Sequence, residues 1–142
     1  MQNEQMADIL AVLAQHLAEI VEGDMDDVYL YAEADGGSYD AGIFKDIGNG
    51  VQYFSPDAEL FDELRRLWAA ADVDEKWHVL HYTVRGAAFE ASFEFQDSMD
   101  PDEFIQDRRK RALHQRYGDK PVIYPPMEDY FHEISEADLS DD

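Results

Sequence analysis

Apolar residues at Met6, Ile9, Leu10, Leu13, Leu17, Ile20 and Val21 recur at spacings of three and four. That period predicts an amphipathic helix over about residues 3–22, with Gly23 as its stop, since glycine accepts the left-handed conformation past a helix end. The period then changes to two. Val28, Leu30 and Ala32 alternate with Tyr29, Tyr31 and Glu33, the pattern of a strand. Asp35-Gly36-Gly37-Ser38 is turn chemistry, so 39–46 forms the second arm of a hairpin. Gly48-Asn49-Gly50 turns the chain again into a third strand, 51–54. Ser55-Pro56 predicts a helix start, serine capping and proline in the first turn. Leu60, Leu64, Leu67, Trp68 and Ala71 carry one face of that helix to about Asp72.

A second hairpin follows. Residues 77–84 lead through Arg85-Gly86 to Phe89, Ala91, Phe93 and Phe95, which alternate with Ala88, Glu90, Ser92 and Glu94. Aromatics inward and carboxylates outward make this a half-buried strand. Asp100-Pro101-Asp102-Glu103 predicts a third helix, with Asp100 as cap and Glu103 closing a capping box; Tyr117-Gly118 ends it. The order is α-β-β-β-α-β-β-α, and the short links between strands favour antiparallel pairing. The expected fold is α+β: an antiparallel sheet of about five strands with helices packed on one face. Residues 1–126 make a single domain and 127–142 an acidic C-terminal tail. The stretch containing Pro121, Pro125 and Pro126 is expected to wrap the domain through Val122, Ile123, Tyr124, Tyr130 and Phe131.

Charge adds what periodicity does not. The 142 residues suffice for one core, burying roughly 70% of the unfolded surface, and 45% hydrophobic residues are too many for a disordered chain. Yet the net charge is −22, from 33 acidic and 11 basic residues. Residues 1–63 hold fifteen acids and a single base, Lys45; residues 127–142 hold seven acids and no base. Nucleic acid and anionic membranes should be repelled, and a basic protein attracted. A salt-rich cytoplasm, whose proteins are generally acidic, explains the same charge. Stretch 9–21 is too short and polar to span a bilayer, and the N-terminus lacks the basic start of a secretory signal, so the expected compartment is the cytoplasm.

Catalytic chemistry finds little support. The absence of cysteine excludes a disulfide, a thiolate metal site and a cysteine nucleophile. His78 and His81, three apart on a predicted strand, should leave opposite faces; His16 and His114 read as exposed or core-edge histidines on helices. No serine sits in Gly-x-Ser-x-Gly, and Gly48-Asn49-Gly50 lacks the following lysine-serine of a phosphate loop. With 33 carboxylates, a close acidic pair carries no specificity. The bases Arg108, Arg109, Lys110 and Arg111 spread around their helix, within reach of Asp102, Glu103 and Asp107, and read as ion-paired, not as a nucleic-acid stripe. The expectation is a binding protein, not an enzyme, with no cofactor and no metal. Tyr29, Tyr31, Tyr39, Phe44, Tyr53 and Phe54 either pack on the tail and on one another or stand exposed among acids. The expected partner-binding residues are Asp24, Asp26, Asp27, Asp35, Asp40 and Asp46, with Tyr29 and Tyr31 as aromatic anchors.

Several segments together carry a family pattern: the first helix leading into Val28-Tyr29-Leu30-Tyr31-Ala32-Glu33, a helix with Leu60-Phe61-Asp62-Glu63-Leu64, then Trp77-His78-Val79-Leu80, Phe89-Glu90-Ala91-Ser92-Phe93-Glu94-Phe95, Glu103, Arg108-Arg109 and Gln115-Arg116-Tyr117-Gly118. Over residues 5–118 this resembles the YezG-like family of bacterial antitoxin, or immunity, proteins. The resemblance implies neutralisation of the toxic C-terminal domain, often a nuclease, of a polymorphic toxin. It brings no active-site motif, and the chain departs from the pattern in its proline-rich tail and its acidity. The alternative is an acidic adaptor or chaperone-like domain of a salt-adapted cell, with no toxin partner.

Overall fold

The computed structural model describes residues 3–35, 37–100 and 102–124. Helix α1 (Glu4–Val21) is followed by β1 (Val28–Asp35), β2 (Ser38–Asp46), β3 (Val51–Phe54), α2 (Ala58–Ala70), β4 (Val79–Arg85), β5 (Ala88–Glu94), a 3-10 turn (Gln96–Ser98), α3 (Ile105–Tyr117) and β6 (Val122–Ile123). The six strands form one sheet in the order β5-β4-β1-β2-β3-β6. All pairings are antiparallel except β3 with β6, which run parallel. The α+β class, the largely antiparallel sheet and the helix-covered face are as the pattern predicts.

Each end of α1 and α2 is closed by at least one capping contact. Asn3 caps α1 by accepting from the Met6 amide at 2.8 Å, and its own amide donates to the Ala70 carbonyl at the far end of α2, 2.7 Å away. α1 ends at Val21, and its C-cap Glu22, one residue before Gly23, itself takes the left-handed conformation, at φ 54°. α2 is capped by Asp57, not Ser55, because the Asp57 carboxylate accepts from the Leu60 amide at 2.9 Å. The last turn of α2 holds no base, but Lys76 folds back and donates to the carbonyl of Trp68 at 2.7 Å, as a helix C-terminus favours.

Alternation along β1 divides the interior. Val28, Leu30, Ala32 and Ala34 join Leu10, Leu13, Leu17, Leu60, Leu64, Leu67 and Trp77 in the larger core beneath α1 and α2. Tyr29 and Tyr31 point the other way, with Phe44, Val51, Val79, Leu113 and Tyr117 in a second cluster, which α3 covers. Every residue of β1 except Asp35 is buried.

α3 begins at Ile105, later than the capping-box pattern predicts. Phe104 precedes it without a side-chain cap. Asp100 closes a local turn onto the Asp102 amide, and Glu103 turns to Arg111 instead of back to the helix start, 2.6 and 3.0 Å away. Pro101, Tyr130, Phe131 and the whole tail 127–142 lie outside the described residues.

Two glycines are required by close approach. A Cβ on Gly42 would lie 2.9 Å from the buried Phe44 ring, and one on Gly50 would lie 2.9 Å from Ile123 and 3.0 Å from the Pro121 carbonyl oxygen. Gly50 is therefore what lets β6 dock, through the Val51 amide donating to the Pro121 carbonyl at 2.8 Å. Gly50→Ala should strain this contact by about 1–3 kcal/mol. Val51 amide exchange should then speed up by roughly tenfold or more; unchanged exchange would show that β6 does not depend on this approach.

Candidate functional site

Two surfaces follow from this arrangement: the α3 face, rich in bases, and the outer face of α1, rich in acids. On the first, the centre is Glu33 of β1, only 2% exposed. Its carboxylate accepts from Arg108 Nε at 2.9 Å and Nη2 at 2.8 Å, a two-pronged pair, and from the Tyr31 hydroxyl at 2.5 Å. His78 Nε2 stands 3.4 Å away. The Glu33 bond holds the Arg108 guanidinium above its ordinary pKa. Burial first, then Glu33, push the Tyr31 phenol up, so it remains a donor. Arg111 holds the Glu103 carboxyl below its usual range.

A second polar chain runs alongside. The Tyr29 hydroxyl is 2.7 Å from His81 Nδ1, and His81 Nε2 is 2.5 Å from Glu94 Oε2. A carboxylate only accepts, so Nε2 carries the proton. The order hydroxyl–imidazole–carboxylate has the connectivity of an acid–base relay. However, burial raises the Tyr29 phenol far above its ordinary pKa, which makes it a poor nucleophile near neutrality. His78 and His81 both reach this face, contrary to the expectation of opposite faces, because β4 starts at Val79 and His78 lies just outside it. They serve different carboxylates. Of the two alternatives for His16, the core-edge one holds: it is 5% exposed, between Glu63 at 2.8 Å and Asp57 at 2.9 Å.

The expected partner-binding residues separate into three groups. Tyr29 and Tyr31 are 3% and 1% exposed. They are core residues under α3, with the Arg116 guanidinium 4.5 Å above the Tyr29 ring, and do not offer an aromatic anchor at the surface. Asp35 and Asp40 lie near the turn of the β1–β2 hairpin, whereas Asp24, Asp26, Asp27 and Asp46 lie at its other end, roughly 23 Å away along the strand. Three of the six aspartates answer bases of the α3 region: Asp27 pairs with Arg116 at 2.7 Å, Asp46 with Lys120 at 2.7 Å, and Asp40 with Arg109 at 3.8 Å. Lys120 holds the Asp46 carboxyl below its ordinary range. Arg108, Arg109, Arg111 and Arg116 of α3 are thus ion-paired as expected, mostly to the sheet and its loops and not to neighbours on the helix, whereas Lys110 has no ion-pair partner among the described residues.

Of the other three, Asp35 is exposed at the hairpin turn, and Asp24 and Asp26 are exposed at the far end. Lys45, the sole base of the first 63 residues, donates its ammonium to the Asp24 backbone carbonyl. Asp24 and Asp26 continue a face that sequence reasoning left unused. Glu4, Asp8, Ala11, Val12, Gln15, Ala18, Glu19 and Glu22 are all exposed and recur at three and four along the outside of α1. Acids occupy both ends of this stripe, and small apolar side chains, with Val12 at 45% exposure, occupy its middle. Among the described residues Glu19, Glu22, Asp24 and Asp26 have no ion-pair partner. The signal is present in the helical period itself, which sets these positions on the side of α1 opposite Leu10, Leu13 and Leu17.

Among the described residues no helix is long and apolar enough to cross a membrane, and no three histidine or carboxylate side chains are grouped to hold a metal ion. Comparison with known proteins gives no match, either to a family model or to a curated protein.

Proposed function

We propose that this chain is an immunity protein: in the cytoplasm it binds and neutralises the basic, nuclease-type C-terminal domain of a cognate polymorphic toxin, without catalysis of its own. The observation that carries this reading is the outer face of α1 and the loop after it, where Glu19, Glu22, Asp24 and Asp26 stand exposed, without cationic partners among the described residues, beside an apolar middle. A nuclease needs a basic surface to hold phosphates. An acidic surface of this kind competes for it, and complementary charge speeds capture. The apolar centre with a charged rim matches the anatomy of protein interfaces. The resemblance to the YezG-like pattern points the same way.

The test is a growth rescue followed by a binding measurement against the toxin domain encoded beside this protein. Wild type should rescue, co-purify and associate at a rate that falls steeply with salt. Glu19→Lys, Glu22→Lys, Asp24→Lys and Asp26→Lys together should slow association by about 10-fold to 1,000-fold. If affinity is unchanged, the surface is wrong. If there is neither rescue nor complex, and stability instead climbs with molar potassium chloride, the acidity belongs to solvation in a salty cell.

A further inference from the structure

The α3 region is a basic island in an acidic molecule. Six of the eleven bases lie between Arg108 and Lys120, against two acids, Asp107 and Asp119, from 105 to 124. Two adjoining hollows, of about 410 and 280 Å³, run along this helix and share Lys110, Leu113 and Tyr124. Their floor is apolar, with Ile105 and Tyr124 at 37% and 51% exposure. Their rim carries three bases and Asp40: Lys110 has no ion-pair partner among the described residues, while Arg109 and Lys120, which flank it, are paired with Asp40 and Asp46. Tyr124 lies against Tyr53, ring centres 5.0 Å apart. The path of the chain therefore reaches the groove at residue 124, with eighteen residues still to follow.

Those eighteen residues complement the groove in sequence. They carry seven acids and no lysine or arginine, and Met127, Tyr130, Phe131 and Ile134 recur at three and four, with Glu128, Asp129 and Glu133 between them. We propose that segment 125–142 docks in cis on the α3 groove, its apolar residues on Leu113 and Tyr124 and its carboxylates toward Lys110 and Lys120. Attachment at the rim gives it an effective concentration on the order of millimolar, which a free acidic peptide does not reach. The docking also has a purpose in the molecule's own chemistry. An acidic α1 face and a basic α3 groove on one protein are complementary surfaces of different copies, and such head-to-tail contacts build rings or open filaments. The tail occupies the basic member of that pair.

The chain has no cysteine, so Ser135→Cys gives a single attachment point for a nitroxide on the full-length protein. Amide signals of residues 110–117 and 120 should lose most of their intensity, while those of β5 keep theirs. The loss should be reversed in about 1 M salt, where the screening length is about 3 Å. It should also be reversed by Lys110→Glu with Lys120→Glu, and by Glu128→Gln, Asp129→Asn and Glu133→Gln. Undiminished α3 signals, or a loss that survives both sets of substitutions, would overturn the proposal. So would a loss seen only when spin-labelled and isotope-labelled molecules are mixed, since that would place a second copy in the groove.

Discussion

Arg108→Ala is expected to lower the unfolding free energy by about 3–5 kcal/mol, because it strands the Glu33 carboxylate in the interior without its guanidinium. Arg108 is 9% exposed and Glu33 2%, so water does not replace what is lost. The effect should concentrate in α3. That helix has few apolar residues facing inward, Leu113 and Tyr117 among them, and Arg108 is its strongest tie to the sheet. Loosening it should uncover Tyr29 and Tyr31, so the near-ultraviolet tyrosine dichroism should weaken before global unfolding. Replacing both partners with apolar residues, Glu33→Leu with Arg108→Met, should cost markedly less than the two single changes summed. Urea melts of the four proteins decide it. Additive losses would mean that the pair is not coupled.

The second large effect is pH-dependent and centres on His16. Burial opposes its protonation, but hydrogen bonds to Asp57 and Glu63 outweigh that, and the net shift is upward. A pKa raised by folding means that the folded state binds the proton more tightly. The stabilisation is therefore complete below the unfolded value, about 6.5, and is lost as pH rises through the higher folded one. Asp57 contributes in the opposite window. Its carboxyl suffers from burial but is held below its ordinary value by His16 and the Leu60 amide, so its contribution falls away only in acid. The urea midpoint should decline as pH is raised from about 6.5. His16→Ala should flatten that slope and cost about 3 kcal/mol at neutral pH by leaving Glu63 buried and unpaired. Adding Glu63→Gln should recover part of the loss. A wild-type midpoint that does not move with pH would remove the histidine from this role.

How far the sequence could be read depends on the range of the interactions. The α1 stripe, the period of two in β1 and the glycine turns are local, and they appear where periodicity and turn chemistry put them; in β5 Ala91 and Phe93 face the core as the alternation predicts, but Phe89 is exposed at the sheet edge and Phe95 is exposed just past the strand. The α3 face was not legible by the same means. Its ties join Arg108 to Glu33 and Arg116 to Asp27 across 75 and 89 residues, which no spacing rule connects. One signal was available. Both parities of β1 are apolar, Val28, Leu30 and Ala32 on one side and Tyr29 and Tyr31 on the other, which is the mark of a strand covered on both faces. Taken seriously, it buries Tyr29 and Tyr31, and it requires a cation for Glu33. The helix caps failed for a related reason. Ser55 and Asp100 have the right residue types, but Asp57 is also held by His16 and Glu103 is drawn to Arg111, both tertiary contacts.

β5 forms one outer edge of the sheet, and its free backbone groups, beside Phe89 and Phe95 at 37% exposure each, would suit pairing with the same strand of another molecule. What stands against that is Glu90, Glu94 and the repulsion of a chain at −22. The net repulsion vanishes near the isoelectric point of about 4.2. The solubility of this protein is thus tied to its charge, and mild acid is the condition in which it should begin to stack edge to edge.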